Sequence, residues 1–291
     1  MLLPLPAFPR ATAADLSRVE ESLEMLAPRW AVWTLMSMGA QPLRYREVKD
    51  RLPWLADGQL SPRLRQLVDD GLAERLEPQT RHSCYRLTDR AHALGGVLNT
   101  LAQWAQDHLE KETGPDGNPR PVARAQDIED TLALLSPKNA PAVLWALRAH
   151  GCARGSELAA LITPHHTSTA IYQPIRQLTE AGLIRRAPTG QGFQLTGAGH
   201  DLAPVWAAIS AWAAGRPTDP APDHPLWTHQ PAPAPAAPGA WTTHRTSNPA
   251  PAGPPPTAPE QLRPAWRPGD LFSHAAPARP VPAAARVGRT R

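Results

Sequence analysis

The strongest constraint on the fold of this chain is an internal repeat whose period is about the length of one domain. The sequence RQLVDDGL at 65–72 returns as RQLTEAGL at 176–183, and YRLT at 85–88 returns as FQLT at 193–196. Further blocks recur in the same order, including helical segments that contain Trp104 and Trp212. A period of about 110 residues is far longer than a solenoid repeat, so the pattern indicates one domain present twice.

The distribution of proline sets the outer limits of the two copies. Of the 36 prolines, 19 follow Arg216, where the hydrophobic residues thin to alanine and isolated aromatics. Such a composition cannot bury a core and favours an extended, flexible chain. The sequence therefore predicts a flexible N-terminus at 1–14, a first domain at 15–113, a linker at 114–126, a second domain at 127–216 and a disordered Pro/Ala-rich tail at 217–291.

Both copies have the same predicted order of elements. First helices at 16–26 and 127–135 stop near Pro28 and Pro137, because proline disfavours the helical conformation of the residue before it. A second helix and a short third helix follow, and Gly71 and Gly182 end a fourth helix at 57–70 and 168–181. Two strands and one long closing helix, at 89–111 and 197–214, complete each copy. This order predicts a mainly helical α+β fold with small β-hairpins: two tandem winged helix-turn-helix domains.

The charge of the chain gives little support to any one function. The net charge of +4 divides into 14 basic against 15 acidic residues at 1–113, 9 against 7 at 114–216, and 7 against 4 in the tail. The two predicted domains are therefore nearly neutral, and local placement of charge must identify a nucleic-acid surface.

Several classes of function lack their usual residues. Cys84 and Cys152 are too few and too isolated for a disulfide framework or a thiolate zinc site. The pair His165 and His166 has no nearby third ligand, so solvated turn histidines are the simpler interpretation. There is no glycine-rich phosphate loop, nucleophile elbow or apolar membrane-spanning run. We therefore expect a cytoplasmic protein that is not an enzyme and that needs neither cofactor nor metal.

The fourth helix of the first copy is the predicted recognition helix. Leu60, Leu64 and Leu67 form its inward stripe, which leaves Arg63 as the leading candidate for contact with the major groove, with Gln59 and Ser61 beside it. Between residues 44 and 65 six basic residues face three acidic ones. The basic residues expected to reach phosphates in this copy and its wing are Arg44, Arg46, Lys49, Arg65 and Arg81. An arginine-rich solvated surface is the alternative interpretation.

The second copy offers hydrogen-bonding groups but little charge. Its predicted DNA-contacting residues lie on the fourth helix and at the start of the wing: Ser168, Thr169, Tyr172, Gln173, Arg176, Arg185 and Arg186.

Each copy resembles the HxlR-type transcriptional regulators, which are winged-helix proteins of bacteria. The resemblance depends on VEESLEML at 19–26 before Arg29-Trp30, LRYREV at 43–48, LSPRLRQL at 60–67 and the tryptophan of the closing helix, Trp104 or Trp212. It covers 16–110 well and 127–213 more loosely, where Asn139 replaces the family's Trp. The resemblance implies binding to double-stranded DNA, with dimerisation through the first and closing helices.

Three questions stay open at the level of sequence. Two fused copies can form an intramolecular pseudo-dimer on an asymmetric DNA site, or two chains can form a homodimer. A winged-helix protein-interaction module with little specific DNA binding is the alternative function. Trp30, Trp33, Met36 and Met38 line either a pocket for an unidentified small-molecule effector or simply the core.

Overall fold

The computed structural model of the protein describes residues 8–76, 83–111, 122–164, 169–188, 190–218, 224 and 226–227. Within these residues the elements are, in chain order, α1 (Arg10–Leu26), α2 (Ala31–Met38), β1 (Leu43–Arg44), α3 (Tyr45–Arg51), α4 (Asp57–Asp69), β2 (Ala73–Leu76), β3 (Cys84–Leu87), α5 (Asp89–His92), α6 (Gly95–His108), α7 (Arg124–Leu135), α8 (Ala140–His150), α9 (Gly155–Ile162), α10 (Thr169–Glu180), β4 (Ile184–Arg186), β5 (Phe193–Leu195), α11 (Gly197–His200) and α12 (Ala203–Ala213). The helical order of α1–α6 is therefore repeated by α7–α12.

A small antiparallel sheet lies beside α3 and α4 in the N-terminal half (residues 8–111). Its strand order is β1-β3-β2, with Leu43 opposite Tyr85 and Ala73 opposite Leu87. In the C-terminal half (residues 122–218), β4 pairs with β5, and a single bridge joins Ala153 to Phe193 at the position that corresponds to β1. The predicted hairpin strands are confirmed, whereas β1 was not predicted because two residues are too short to show an alternating pattern.

The turns between the first and second helices of each half share an unusual backbone conformation. Trp30 has φ 73° and Asn139 has φ 67°, and each precedes the first residue of α2 or α8. They are the only non-glycine residues with positive φ among the described residues. The two halves thus share a left-handed turn at one repeat position as well as the order of their elements.

The first helix of each half begins earlier than predicted. α1 starts at Arg10, directly after Pro9, and Thr12 on its first turns is 1% exposed. Residues 10–14 are therefore helical, and Thr12 among them is buried. α7 starts at Arg124, three residues inside the predicted linker. Contacts with the other half lie near both helix starts: the Phe8 ring packs against Trp145, and Arg124 donates to Asn99. The periodicity of one copy does not reveal these contacts.

The long closing helix predicted for each copy is two helices in the structure. α5 and α11 are single turns whose N-cap hydroxyls, from Thr88 and Thr196, accept a backbone hydrogen bond from within the turn. The chain then bends before α6 and α12. In the second case Pro204 lies in the first turn of α12 and has no N–H to donate to the preceding turn, so the helix restarts there. In the first case Gly95 and Gly96 follow the bend and favour a break in the same way.

The two halves pack against each other through their first and closing helices. α1 contacts α12, α6 contacts both α7 and α12, and α2 contacts α7. Trp104 Nε1 donates to the Ala198 carbonyl at 3.0 Å, and Trp212 Nε1 donates to the Arg90 carbonyl at 2.8 Å. These two hydrogen bonds join corresponding repeat positions in opposite directions, as a twofold relation between the halves requires. Buried side chains from both halves form one continuous core.

Two residues of the predicted disordered tail, Thr218 and Trp227, pack against the folded part of the chain. Trp227 is 1% exposed and stacks on Trp206 with ring centroids 5.3 Å apart, and its Nε1 donates to Asp15 Oδ2 at 3.0 Å. The Thr218 backbone passes so close to Gly96 that a Cβ there would lie 2.4 Å from the Thr218 carbonyl oxygen. The prediction of a disordered tail is therefore wrong for Thr218 and Trp227, and residues 228–291 lie outside the described part of the chain.

Candidate nucleic-acid interface

The helix-turn-helix of the N-terminal half consists of α3, the turn at 52–56 and α4. Leu60, Leu64 and Leu67 of α4 are buried against the core, in agreement with the predicted inward stripe. Gln59 and Arg65 are exposed on the other side, and Ser61 is partly exposed. α4 therefore presents a polar face with hydrogen-bonding groups near its N-terminus, which is the part of a recognition helix that meets base edges.

Arg44 and Arg46 are exposed at the start of α3, as predicted. The Arg44 backbone N–H donates to Glu47 Oε2 at 2.6 Å, which fixes the first turn of α3 and the direction in which the chain enters it. Together with Arg65, they place exposed guanidinium groups along the helix-turn-helix.

Lys49 was predicted to contact a phosphate, but its ammonium group is used inside the fold. Lys49 Nζ donates to the Pro53 carbonyl at 3.1 Å and also to the Leu55 carbonyl. These two carbonyls belong to the turn between α3 and α4. Lys49 therefore stabilises the turn of the helix-turn-helix, and its contact with a phosphate stays a prediction. Arg51 has a similar structural role, since its guanidinium donates to the Ser37 carbonyl at 2.6 Å.

Arg63, the leading groove candidate from sequence, is partly buried at the contact between the halves. Its Nε is buried and has no hydrogen-bond partner among the described residues. Burial lowers the pKa of the Arg63 guanidinium, while the nearby carboxylates of Glu129 and Asp70 oppose this shift. Arg63 is thus less exposed than its sequence pattern predicts, and its contact with the groove stays a prediction. Position 63 lies on the flank of the leucine stripe, near Glu129 of α7 in the other half.

In the C-terminal half, α10 occupies the position of α4. Ile171, Ile175 and Leu178 are buried along it, whereas Tyr172, Gln173 and Arg176 are exposed as predicted. The Tyr172 ring lies over Gly155 at the start of α9, where a Cβ would come within 2.9 Å of the ring. Arg176 pairs with Glu180 at 3.4 Å one turn later. Ser168 and the side chain of Thr169 lie outside the described residues.

The wings carry arginines in both halves. Arg185 and Arg186 are exposed on β4, and the Arg186 guanidinium lies 5.4 Å from the centroid of the Phe193 ring. In the first wing, Arg86 on β3 pairs across the hairpin with Glu74. The tip of that wing, including Arg81, lies outside the described residues, as do His165 and His166.

An aromatic cluster supports the turn of the first helix-turn-helix. The Trp54 ring centroid lies 4.9 Å from that of Trp30 and 4.9 Å from that of Trp33, and Trp54 is 50% exposed. Met38 is buried and Met36 is 44% exposed, so the four residues weighed as an effector pocket do not enclose one space. Sequence reasoning missed Trp54, although a tryptophan in a helix-turn-helix turn is itself a signal.

The most connected acidic residue near this interface is Glu129 of α7, which the sequence also did not single out. Its carboxylate accepts hydrogen bonds from the N–H groups of Trp30 at 3.0 Å and Val32 at 3.1 Å, at the start of α2. Burial raises the pKa of Glu129, and those hydrogen bonds and Arg63 oppose the shift. At the corresponding repeat position, Glu20 of α1 accepts a hydrogen bond from the Asn139 N–H at 3.2 Å, before α8. Each half therefore supplies a carboxylate that caps a helix of the other half.

Metal-ligating groups, membrane-spanning helices and cysteines were also considered in the described part of the chain. No group of three or more potential metal-ligating side chains occurs among those residues. None of the described helices is both long and apolar enough to cross a membrane. Cys84 and Cys152 are both free thiols.

Comparison with known proteins identifies relatives for part of this chain. The model of the HxlR-like helix-turn-helix family matches residues 25–113. The HTH-type transcriptional regulator YvaP of Bacillus subtilis is 30% identical over 95 residues, which are 32% of this chain and 88% of that protein. The HTH-type transcriptional regulator YodB of the same organism is 26% identical over 95 residues, 32% of this chain and 85% of that protein. No solved structure gives a significant match.

Proposed function

Because the chain belongs to the HxlR-like helix-turn-helix family, it is a DNA-binding transcriptional regulator, and we propose that it recognises a specific double-stranded site through α4. The observation that carries this proposal is the exposed polar face of α4, flanked by the exposed guanidinium groups of Arg44, Arg46 and Arg65. B-DNA admits one helix in its major groove, and the matching face of that helix must be polar and free of packing contacts.

The side chains of the N-terminal half divide into two roles under this proposal. Gln59 and Ser61, near the N-terminus of α4, contact base edges and supply sequence preference. Arg44 and Arg46 at the start of α3, together with Arg65, contact backbone phosphates, which supply affinity and fix the register. Arg81 at the tip of the first wing remains a prediction for phosphate contact.

We also propose that the C-terminal half is a second winged helix-turn-helix and that the two halves form an intramolecular pseudo-dimer. The repeated order of elements and the reciprocal tryptophan and glutamate hydrogen bonds support this proposal. The residues expected to face DNA in this half are Ser168, Thr169, Tyr172, Gln173, Arg176, Arg185 and Arg186. Because the two recognition helices differ in sequence, the target is an asymmetric site and not a palindrome.

A winged-helix interaction module is the second candidate function. It is favoured by one observation, the pairing of Arg176 with Glu180, which neutralises the one cation on the exposed face of α10 among the described residues. The names of the relatives are those of transcriptional regulators and not of enzymes. We further propose that the protein has no catalytic activity. We also propose that it is located in the cytoplasm, where bacterial DNA is accessible.

The proposal is tested by binding of the full chain to a labelled DNA fragment from its own upstream region, with competitor DNA and a salt titration. We expect the labelled fragment to stay bound in the presence of competitor DNA. The affinity should fall steeply as the salt concentration rises. Arg65→Ala should reduce the slope of log K against log salt by about 1, and Gln59→Ala should cost about 1–3 kcal/mol on the specific site only.

Arg10→Ala is the matched control for these variants. Arg10 is an exposed arginine at the start of α1, outside the helix-turn-helix. Its removal should leave the salt slope unchanged, apart from a small effect of the net charge. Equal behaviour of Arg65→Ala and Arg10→Ala, or binding that competitor abolishes entirely, would favour the interaction module instead.

A further inference from the structure

A cavity of about 780 Å³ opens in the C-terminal half between α10, the end of α9 and the turn that joins α7 to α8. α10 contributes one face of side chains to it, Ala170, Gln173, Pro174 and Gln177, and the turn contributes Lys138 and Asn139. Its size lies within the range of about 300–1,000 Å³ that is usual for small-molecule sites.

The repeats differ at one lining residue of this cavity, in the turn before the second helix. Asn139 and Trp30 occupy the same left-handed backbone position, and the N–H of each donates to a glutamate of the other half. The backbone is therefore the same, and only the side chain differs. In the N-terminal half the Trp30 indole packs against Trp54 with ring centroids 4.9 Å apart. In the C-terminal half a carboxamide stands where that indole stands.

A second substitution on the facing helix enlarges the same space. Arg63 of α4 corresponds to Pro174 of α10 in the repeat, as RLRQL at 63–67 aligns with PIRQL at 174–178. The Arg63 guanidinium is partly buried and lies near Glu129 of the other half. Proline is shorter than arginine at the corresponding position. The positions that an indole and a guanidinium occupy in one half thus carry shorter side chains in the other.

The chemistry of the lining defines what can enter. Ile162, Ala170 and Pro174 form apolar walls, whereas the amides of Asn139, Gln173 and Gln177 supply donors and acceptors. Lys138 is the one charged group among the described lining residues, and no carboxylate lines the cavity there. The nearby Glu20 carboxylate already accepts the Asn139 N–H, and Lys138 lowers its pKa against the effect of burial. A ligand for this space has a flat apolar body and an edge that is anionic or accepts hydrogen bonds.

We propose that this cavity is a binding site for a planar aromatic carboxylate of one or two rings. The ring system occupies the space of the missing indole, and the carboxylate lies toward Lys138 and the amides of α10. The C-terminal half is then the effector-binding part of the protein. The site is argued from the geometry of α10 and the turn. It shares Gln173 with the face of α10 that is proposed to bind DNA, so binding of the ligand is measured without DNA.

Isothermal titration calorimetry of the full chain without DNA tests the proposal, with indole-3-carboxylate and indole as the two probes. We expect both to bind at up to millimolar concentration, and the carboxylate to bind at least fivefold more tightly. Lys138→Ala should abolish that difference while it leaves the affinity for indole unchanged. Absence of heat from both probes at millimolar concentration, or an equal effect of Lys138→Ala on both, would overturn the proposal.

The repeat supplies its own variants for locating the site. Asn139→Trp restores the residue of the first half at a position with the same backbone conformation, and it should weaken binding of both probes at least tenfold. Gln173→Trp should fill the cavity from the exposed face of α10. It replaces Asn139→Trp in the binding test if that variant does not fold. Gln177→Ala should weaken binding several-fold, whereas Gln66→Ala, at the matching position of α4, should not. Unchanged affinity in either tryptophan variant would place the ligand elsewhere and refute the assignment.

Discussion

Replacing Glu129 with alanine tests whether the reciprocal carboxylates hold the two halves together. Glu129 is 2% exposed and accepts hydrogen bonds from the N–H groups of Trp30 at 3.0 Å, Val32 at 3.1 Å and Trp33 at 3.4 Å. These N–H groups lie at the start of α2, where no carbonyl within the helix can accept them. The alanine variant leaves those donors without their acceptor and also removes the carboxylate that faces the Arg63 guanidinium.

The expected loss of stability follows from these contacts. Removing one partner of a buried, hydrogen-bonded charge costs about 3–5 kcal/mol, against about 0.5–2 kcal/mol for an ordinary N-cap. Glu20→Ala is the matched control, because Glu20 occupies the same repeat position but is less buried and accepts one such bond, from Asn139 at 3.2 Å. We expect a loss of about 1 kcal/mol for Glu20→Ala. The difference between the two variants should therefore be about 2–4 kcal/mol.

Urea unfolding of the two variants and the unchanged protein, followed by tryptophan fluorescence and far-ultraviolet circular dichroism, measures this difference. Glu129→Gln keeps an acceptor oxygen but removes the charge. Its loss of unfolding free energy should therefore lie between the losses of Glu129→Ala and Glu20→Ala. We expect the two signals to coincide in the unchanged protein, because the halves share one core. Losses of equal size for Glu129→Ala and Glu20→Ala would refute the role assigned to the Glu129 carboxylate.

Three further predictions concern other parts of the interface between the halves. Trp227→Ala should lower the free energy of unfolding by about 3–5 kcal/mol, because the fully buried indole stacks on Trp206; a loss below about 1 kcal/mol would show that the segment does not pack there. Burial, with nearby acidic groups, raises the pKa of Asp130 to about 7 from the ordinary 3.8, so the folded state holds a proton that the unfolded state releases. Stability should therefore fall as pH rises from about 4 to about 7, and Asp130→Asn should flatten this dependence in urea unfolding at a series of pH values. Arg63→Ala should lower the melting temperature with little change in the salt dependence of DNA binding, and Arg65→Ala should do the reverse; the same pattern for both would contradict their assigned positions.

The sequence predicted the order of elements well because each element carries its own local signal. The hydrophobic stripe of α4 and the glycines after α4 and α10 mark the helix-turn-helix and its end without reference to the rest of the chain. The break between α5 and α6 was missed for the opposite reason. The hydrophobic periodicity continues through the bend at Ala93 and Leu94. The two glycines that follow are the sequence signal for the break between the helices.

The candidate site was predicted less well, because packing within the whole chain determines which side chains are exposed for contact with DNA. Arg63 lies on the flank of an amphipathic helix, and its partial burial near Glu129 of α7 cannot be read from the pattern of a single copy. Lys49 is basic and close to the turn, and only the positions of the Pro53 and Leu55 carbonyls show that it is already bound. Trp227 lies in a proline-rich segment whose composition carries no signal for packing.

Because two related halves are fused in one chain, a substitution can change one half without changing the other, which is impossible in a symmetric homodimer. In a homodimer, any substitution that opens a cavity in one subunit opens it in both, and any loss of charge on a recognition helix weakens both half-sites. Under the proposed pseudo-dimer, Trp30 and Arg63 keep the N-terminal half filled behind its exposed arginines, while Asn139 and Pro174 leave space in the other half. The shared turn conformation and the reciprocal glutamate hydrogen bonds persist in both halves, since they hold the interface on which both functions depend. The two halves therefore share the turn and the reciprocal glutamate contacts, while the side chains at positions 30 and 139 and at positions 63 and 174 differ.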